Sequence, residues 1–185
     1  KECSHDDTEH PDVVWEGISY LGNIEKAGYY YLKDNVTLDA AWTCDVKGDV
    51  YLCLNGKTIT GPADKMVLQV GSNTCLNITD CNDEAGKITH ASGTYGGGID
   101  DYGTLVLWNG DITGNITGEA LNNYFWYGGV RVEVDSKFTM HGGSITDSKG
   151  QYGGGVYVAE NGIFEMTGGD ITGNEATDYY DSSGG

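Results

Sequence analysis

The sequence predicts an all-β fold, a parallel β-helix of short strands led in by an N-terminal capping segment. Three observations predict it. A Gly-x-Ile-Thr motif recurs along the chain, a Tyr-Gly-Gly marker interleaves with it, and 185 residues carry 30 glycines but only 2 prolines. Glycine at that density, with ordinary apolar content and no Gly-X-Y period, excludes a collagen-like chain and points to many tight turns.

The first motif reads Gly86-Lys87-Ile88-Thr89, Gly110-Asp111-Ile112-Thr113, Gly143-Ser144-Ile145-Thr146 and Gly169-Asp170-Ile171-Thr172, with an earlier relative in Gly56-Lys57-Thr58-Ile59-Thr60-Gly61. The Ile-Thr pairs start at 59, 88, 112, 145 and 171, in steps of 29, 24, 33 and 26. The second marker reads Tyr95-Gly96-Gly97-Gly98, Tyr127-Gly128-Gly129 and Tyr152-Gly153-Gly154-Gly155, and β-rich runs such as Val130–Val134 and Val156–Val158 follow it. Gly129 to Ile145 and Gly155 to Ile171 are both 16 residues. An antiparallel sandwich with chance Gly-Gly turns explains neither this equality nor the fivefold Ile-Thr.

Each unit thus holds two or three strands of three to five residues. Alternation such as Val130/Val132/Val134 against Arg131/Glu133 gives one buried and one solvated face. A single unit cannot bury its apolar face, whereas stacked units bury a continuous one. Ile59, Ile88, Ile112, Ile145 and Ile171 should therefore stack inside, with the threonines after them outside. Asn115 and Asn174 share a repeat position two units apart, too far for a continuous asparagine ladder.

Residues 1–47 lack the repeat and read as an N-terminal tail and cap, with leading strands at 28–32 and 35–38. Residues 48–185 read as the β-helix repeats. Tyr179-Tyr180-Asp181-Ser182-Ser183-Gly184-Gly185 resembles the start of one more Tyr-Gly-Gly unit, so repeats are expected to continue past Gly185.

The formal charge of −18 argues against bare nucleic acid or an anionic membrane surface as partner, because phosphates would repel it. It favours cations, basic partners or simply a well-solvated surface. No apolar run is long enough for membrane insertion, and neither a signal peptide nor a lipidation motif is visible. Cysteines at 3, 44, 53, 75 and 81 all lie in the first half. An exported chain could form one or two disulfides from them, with connectivity left open.

Several segments carry a resemblance. Leu52-Cys53-Leu54-Asn55-Gly56-Lys57-Thr58-Ile59, Leu76-Asn77-Ile78-Thr79-Asp80-Cys81 with Gly86-Lys87-Ile88-Thr89, and Phe164-Glu165-Met166-Thr167-Gly168-Gly169-Asp170-Ile171-Thr172-Gly173-Asn174 resemble large surface proteins of Firmicutes, often gut bacteria. Their repeats belong to the pectin-lyase-like class, and the resemblance spans roughly residues 13 to 185. It implies a right-handed parallel β-helix (solenoid) in a secreted, cell-wall-associated protein with adhesion-like roles. It supplies no catalytic residues.

A lyase on such a fold needs a basic proton abstractor beside carboxylates that hold calcium. Arg131, the sole arginine, alternates with Val130 and Val132 and reads as a surface residue paired with Glu133. Hydrolases need clustered carboxylates. Asp100-Asp101, Glu133/Asp135 and Asp170 are candidates, but Asp170 occupies a repeated turn position. His90 and His141 read as surface groups. No Ser-His-Asp spacing or phosphate loop is present, and no catalytic residue is assigned. Cys3, His5 and His10 form one half of a zinc-like pattern, short of the usual four ligands. Calcium at acidic turns, Asp178 and Asp181 among them, is the other cofactor to consider.

The third repeat carries an insertion. Ile112 to Gly129 spans 17 residues where Ile145 to Gly155 spans 10. The extra length includes Asn122, Asn123, Tyr124, Phe125, Trp126 and Tyr127, the candidate ligand-binding residues. Four consecutive aromatics can stack on sugar rings or anchor a protein, or fold back over the neighbouring unit. Tyr102, Trp108, Tyr157, Tyr179 and Tyr180 would widen that surface if they share a face. The function expected first is a surface-exposed binding or adhesion module for a glycan or a host extracellular protein such as mucin or immunoglobulin. A structural spacer in a cell-wall protein and a polysaccharide lyase or hydrolase are the alternatives.

Overall fold

The computed structural model describes residues 13–117 and 127–177. The leading segment forms β1 (Trp15–Ile18), a 3-10 turn at Leu21–Asn23, β2 (Gly28–Leu32), β3 (Val36–Thr37) and β4 (Trp42–Cys44). Three rounds of three strands follow. They are β5 (Gly48–Cys53), β6 (Thr58–Gly61) and β7 (Leu68–Val70); then β8 (Thr74–Thr79), β9 (Lys87–His90) and β10 (Ile99–Asp101); then β11 (Thr104–Leu107), β12 (Asp111–Thr113) and β13 (Val130–Val132). The last two rounds contain β14 (Lys137–Met140), β15 (Ser144–Thr146), β16 (Lys149–Gly150) and β17 (Val156–Val158), then β18 (Ile163–Met166), β19 (Asp170–Thr172) and β20 (Glu175–Ala176).

The fold is all-β, and its sheets are parallel. The first sheet runs β1-β2-β5-β8-β11-β14-β18, the second β3-β6-β9-β12-β15-β19, the third β4-β7-β10-β13-β17, and a small fourth pairs β16 with β20. From β2 to β15 the chain visits first, second and third sheets in fixed rotation, so each strand pairs with its counterpart one round later. Residues 15–44 contribute to the same three sheets, and pairing runs from the leading segment straight into the repeats.

Register explains both sequence markers. Val36, Ile59, Ile88, Ile112, Ile145 and Ile171 are successive partners in the second sheet. Ile59, Ile88, Ile112 and Ile145 are fully buried. The threonines after them face outward, and Thr146 Oγ1 donates to Thr113 Oγ1 at 3.0 Å. The glycine before each of the last three pairs serves a turn in the left-handed region, with φ of 104° at Gly110, 76° at Gly143 and 87° at Gly169, whereas Gly86 serves close approach, a Cβ there colliding with Lys57 O and Leu54. The Tyr-Gly-Gly glycines serve close backbone approach too: a Cβ on Gly98 would collide with Gly129 O, and one on Gly129 with Gly155 O.

The first sheet supplies the facing half of the core. Val50, Leu76, Leu105, Phe138 and Phe164 form one column, and Leu52, Ile78, Leu107, Met140 and Met166 the next. Phe138 and Phe164 stack at 5.0 Å. Each fully buried aliphatic side chain contributes about 1.5–3 kcal/mol. In the final round the same columns are less covered, with Met166 43% exposed.

A polar column lines the corner after the second sheet. His90, Asn115, Ser148 and Asn174 occupy it in successive rounds. Asn115 Oδ1 meets His90 Nδ1 at 2.9 Å, Asn115 Nδ2 donates to Ile88 O at 3.2 Å, and Asn174 Nδ2 donates to Ile145 O at 2.7 Å. Ser148 fills the place between the two asparagines, its N–H donating to Asn174 Oδ1 at 3.0 Å. His90 is thus a buried member of this column, its Nε2 at 3.0 Å from Lys65 O, and not the surface group its isolated position suggests.

Candidate functional site

The outer face of the third sheet gathers charged and aromatic side chains from three rounds. In β13 the inward positions are Val130 and Val132, so Arg131 points outward. In β10 the same alternation turns Asp100 outward and Ile99 and Asp101 inward. Parallel register then aligns Gln69, Asp100, Arg131 and Tyr157 in one outer column.

Arg131 is the hub. Its Nε lies 3.0 Å from Asp100 Oδ1, and its Nη2 donates to Asp100 Oδ2 at 3.2 Å and to Tyr102 Oη at 3.1 Å. Glu133 also pairs with Nη2. The guanidinium carbon stands 5.2 Å from the centre of the Tyr127 ring, a cation–π contact. Tyr127 leans on Tyr157 at 4.1 Å and approaches Tyr152 at 6.2 Å. The side chains of Arg131 and Asp100 are 20% and 7% exposed, whereas the Tyr102 and Tyr152 residues are 41% and 50% exposed. The charges are therefore sunk between rings that remain open.

Burial shapes the ionisation. Desolvation pushes the Asp100 carboxyl up to about 6; the guanidinium opposes that shift and Glu133 reinforces it. Desolvation opposes the charge on Arg131 too, but Asp100, Glu133 and Tyr102 outweigh it and hold the arginine protonated. Burial, then the neighbouring Tyr157 hydroxyl, pushes the Tyr127 phenol up. Above the Asp100 transition one cation faces two carboxylates, so the cluster is net anionic. Such a surface offers hydrogen-bond acceptors, a partly shielded guanidinium and ring faces.

Of the ligand-binding residues expected from sequence, Tyr127 is in this cluster. Asn122, Asn123, Tyr124, Phe125 and Trp126 lie outside the described residues, as do Cys3, His5, His10, Asp178, Asp181, Tyr179 and Tyr180. The anchors of the insertion are described. Ile116 bridges Lys149, and Tyr127 bridges Gly153. The insertion accordingly leaves the corner between second and third sheets and rejoins it at the cluster. Tyr102 and Tyr157 do share the Tyr127 face. Trp108 does not: it follows β11, stacks on His141 at 4.3 Å and donates from Nε1 to Asn77 Oδ1 at 3.1 Å.

The expected Arg131–Glu133 pair is present, and Asp100 from the previous round adds a second, more deeply buried carboxylate that meets the guanidinium through both oxygens. Sequence reasoning missed that partner, although the 31-residue step from Ile99 to Val130 carries Asp100 onto Arg131. Val134 departs from the expected buried alternation. β13 ends at Val132, Asp135 turns the backbone at φ 59°, and Val134 is left 55% exposed. Asp170 sits in register with Ser144 and Asp111 at a repeated strand start, away from the cluster.

Among the described residues, no three His, Cys, Asp or Glu side chains gather as a metal-holding group. No described helix is long and apolar enough to cross a membrane. Comparison with known proteins returns no matching family, curated protein or solved structure.

Proposed function

We propose that the chain is a glycan-binding module whose binding surface is the outer face of the third sheet around Tyr127 and Arg131, on a right-handed parallel β-helix displayed at a cell surface. The helical winding is supported by the fixed rotation through three sheets, and its hand by the strong right-handed preference of parallel crossovers. The observation that carries the function is the cluster itself: open tyrosine rings beside a guanidinium and two carboxylates, at the point where a seven-residue insertion rejoins the scaffold. Rings stack on sugar faces and carboxylates accept from hydroxyls. A guanidinium already matched by Asp100 and Glu133 favours a neutral over an anionic saccharide, as does the net charge of −18. The spacer and carbohydrate-active-enzyme readings are the competing ones.

The test is a glycan array of neutral and acidic saccharides, probed with wild type, Tyr127→Ala and a variant lacking 118–126. Binding to a neutral glycan that Tyr127→Ala weakens about tenfold, the scale of one stacked ring, supports the proposal. No binding by a folded wild type favours the spacer. Release of unsaturated or reducing ends from a polysaccharide favours the enzyme.

A further inference from the structure

We propose that Cys53 and Cys81 form a disulfide that staples one round of the fold to the next. Cys53 ends β5, and Cys81 follows β8, the strand paired with it. Their Sγ atoms are 3.2 Å apart. A covalent bond needs about 2.0 Å, so closure asks for a small movement of two side chains.

The juxtaposition is built by the surrounding backbone. Leu54 N–H, next to Cys53, donates to Thr79 O, two residues before Cys81, at 2.8 Å. Asp80, 5% exposed, accepts from Gly56 N–H at 2.9 Å and from Gly86 N–H at 2.8 Å. Asn82 Nδ2 donates to Asn55 Oδ1 at 2.9 Å. Hydrogen bonds from residues on both sides thus clamp the segment after β5 to the segment after β8. Holding two thiols in this way raises their effective concentration far above that of any thiol in solution.

The other described cysteines are poor competitors. Burial pushes the Cys44 thiol up to about 12 and raises that of Cys75 as well, which slows exchange at both, whereas Cys53 and Cys81 already stand sulfur to sulfur. Cys53 is 1% exposed, whereas Cys81 is partly accessible. Oxidation therefore starts at Cys81. Its thiolate attacks one sulfur of a small-molecule disulfide such as oxidised glutathione, forming a mixed disulfide and releasing one thiol. The Cys53 thiolate then attacks the Cys81 sulfur and releases the second thiol. Two protein thiols lose two protons and two electrons, and the external disulfide is reduced to two thiols.

The cross-link spans 28 residues, one full round. It would tie the end of one first-sheet strand to the end of the next and restrict the unfolded chain.

The test uses the full chain refolded with oxidised glutathione, denatured, alkylated without reductant, digested and analysed by mass spectrometry. One linked peptide pair, joining Cys53 to Cys81 with two hydrogens lost, is expected. Alkylation of both residues, or either residue joined to Cys3, Cys44 or Cys75, overturns the proposal. Thermal melts give a second reading: reductant should lower the wild-type midpoint by about 5–10 °C and leave Cys81→Ser unmoved. An equal shift in both proteins overturns it.

Discussion

Arg131 is locked against Asp100, 31 residues earlier, because the two stand opposite each other in β13 and β10. The contact owes nothing to sequence proximity. It follows from a register in which Ile99 faces Val130 and Asp101 faces Val132, both inward pairs, so that the residues between them must meet outside. The same rule brings Tyr157 to Arg131 from the other side. The candidate surface is therefore a product of stacking and disappears with it.

Arg131→Gln removes the cation and leaves the buried Asp100 without its counter-charge. The carboxyl should then titrate above its present value of about 6. At pH 8, where Asp100 is ionised, the variant should lose about 1–3 kcal/mol. At pH 5 Asp100 is protonated and the loss should shrink. Urea unfolding of both proteins at the two pH values checks this, and equal losses at both would remove Asp100 from the account.

Ile112 is fully buried between Ile88 and Ile145. Ile112→Ala should cost about 2–5 kcal/mol in urea unfolding, because neighbouring rounds cannot collapse into the space without breaking register. Ile171 occupies the same column in the final round but is only partly covered. Ile171→Ala should cost clearly less.

This column marks what the sequence reveals. The isoleucines were legible because identical inward packing demands an identical residue each round, and the 16-residue offset reappears as Gly129 against Gly155 and Ile145 against Ile171. His90 and Asp101 were not legible. Each occupies a buried place that other rounds fill with a different residue type, Asn115 and Ser148 in one case and Val70 and Val132 in the other. Val134 shows a third limit, since a three-residue strand can end before its alternation does. For the candidate site, Tyr127 was found through the insertion, and Tyr102 and Tyr157 were named without their positions being known. The enclosure of Arg131 by Asp100 needed the register.

Asn115 joins three rounds through its backbone and side chain, contacting Ile88 O, His90 Nδ1 and Ser148 Oγ. Asn115→Ala leaves a buried carbonyl and an imidazole nitrogen without this partner. A loss of about 1–3 kcal/mol is expected. Asn115→Ser, copying the residue of the next round, should recover part of it. Urea midpoints of the two variants decide whether the polar column stabilises the stack or merely fills the corner.

Asp101 is fully buried in a column it shares with Val70 and Val132. Gly103 N–H donates to its Oδ1 at 3.0 Å, and its Oδ2 has no hydrogen-bond partner among the described residues. Desolvation raises its carboxyl to about 7, against the pull of the Gly103 and Leu105 backbone. An unfolded aspartate titrates near 4, so between about pH 4 and 7 the folded chain binds the extra proton. Stability from this group is then complete below the unfolded value and declines as pH rises to the folded one. The decline should reach up to about 4 kcal/mol by pH 8. Asp101→Asn keeps an acceptor for Gly103 and cannot ionise. Relative to wild type it should therefore gain stability steadily from pH 5 to pH 8 in urea unfolding. A difference that does not change with pH would show that Asp101 is already charged in the folded interior.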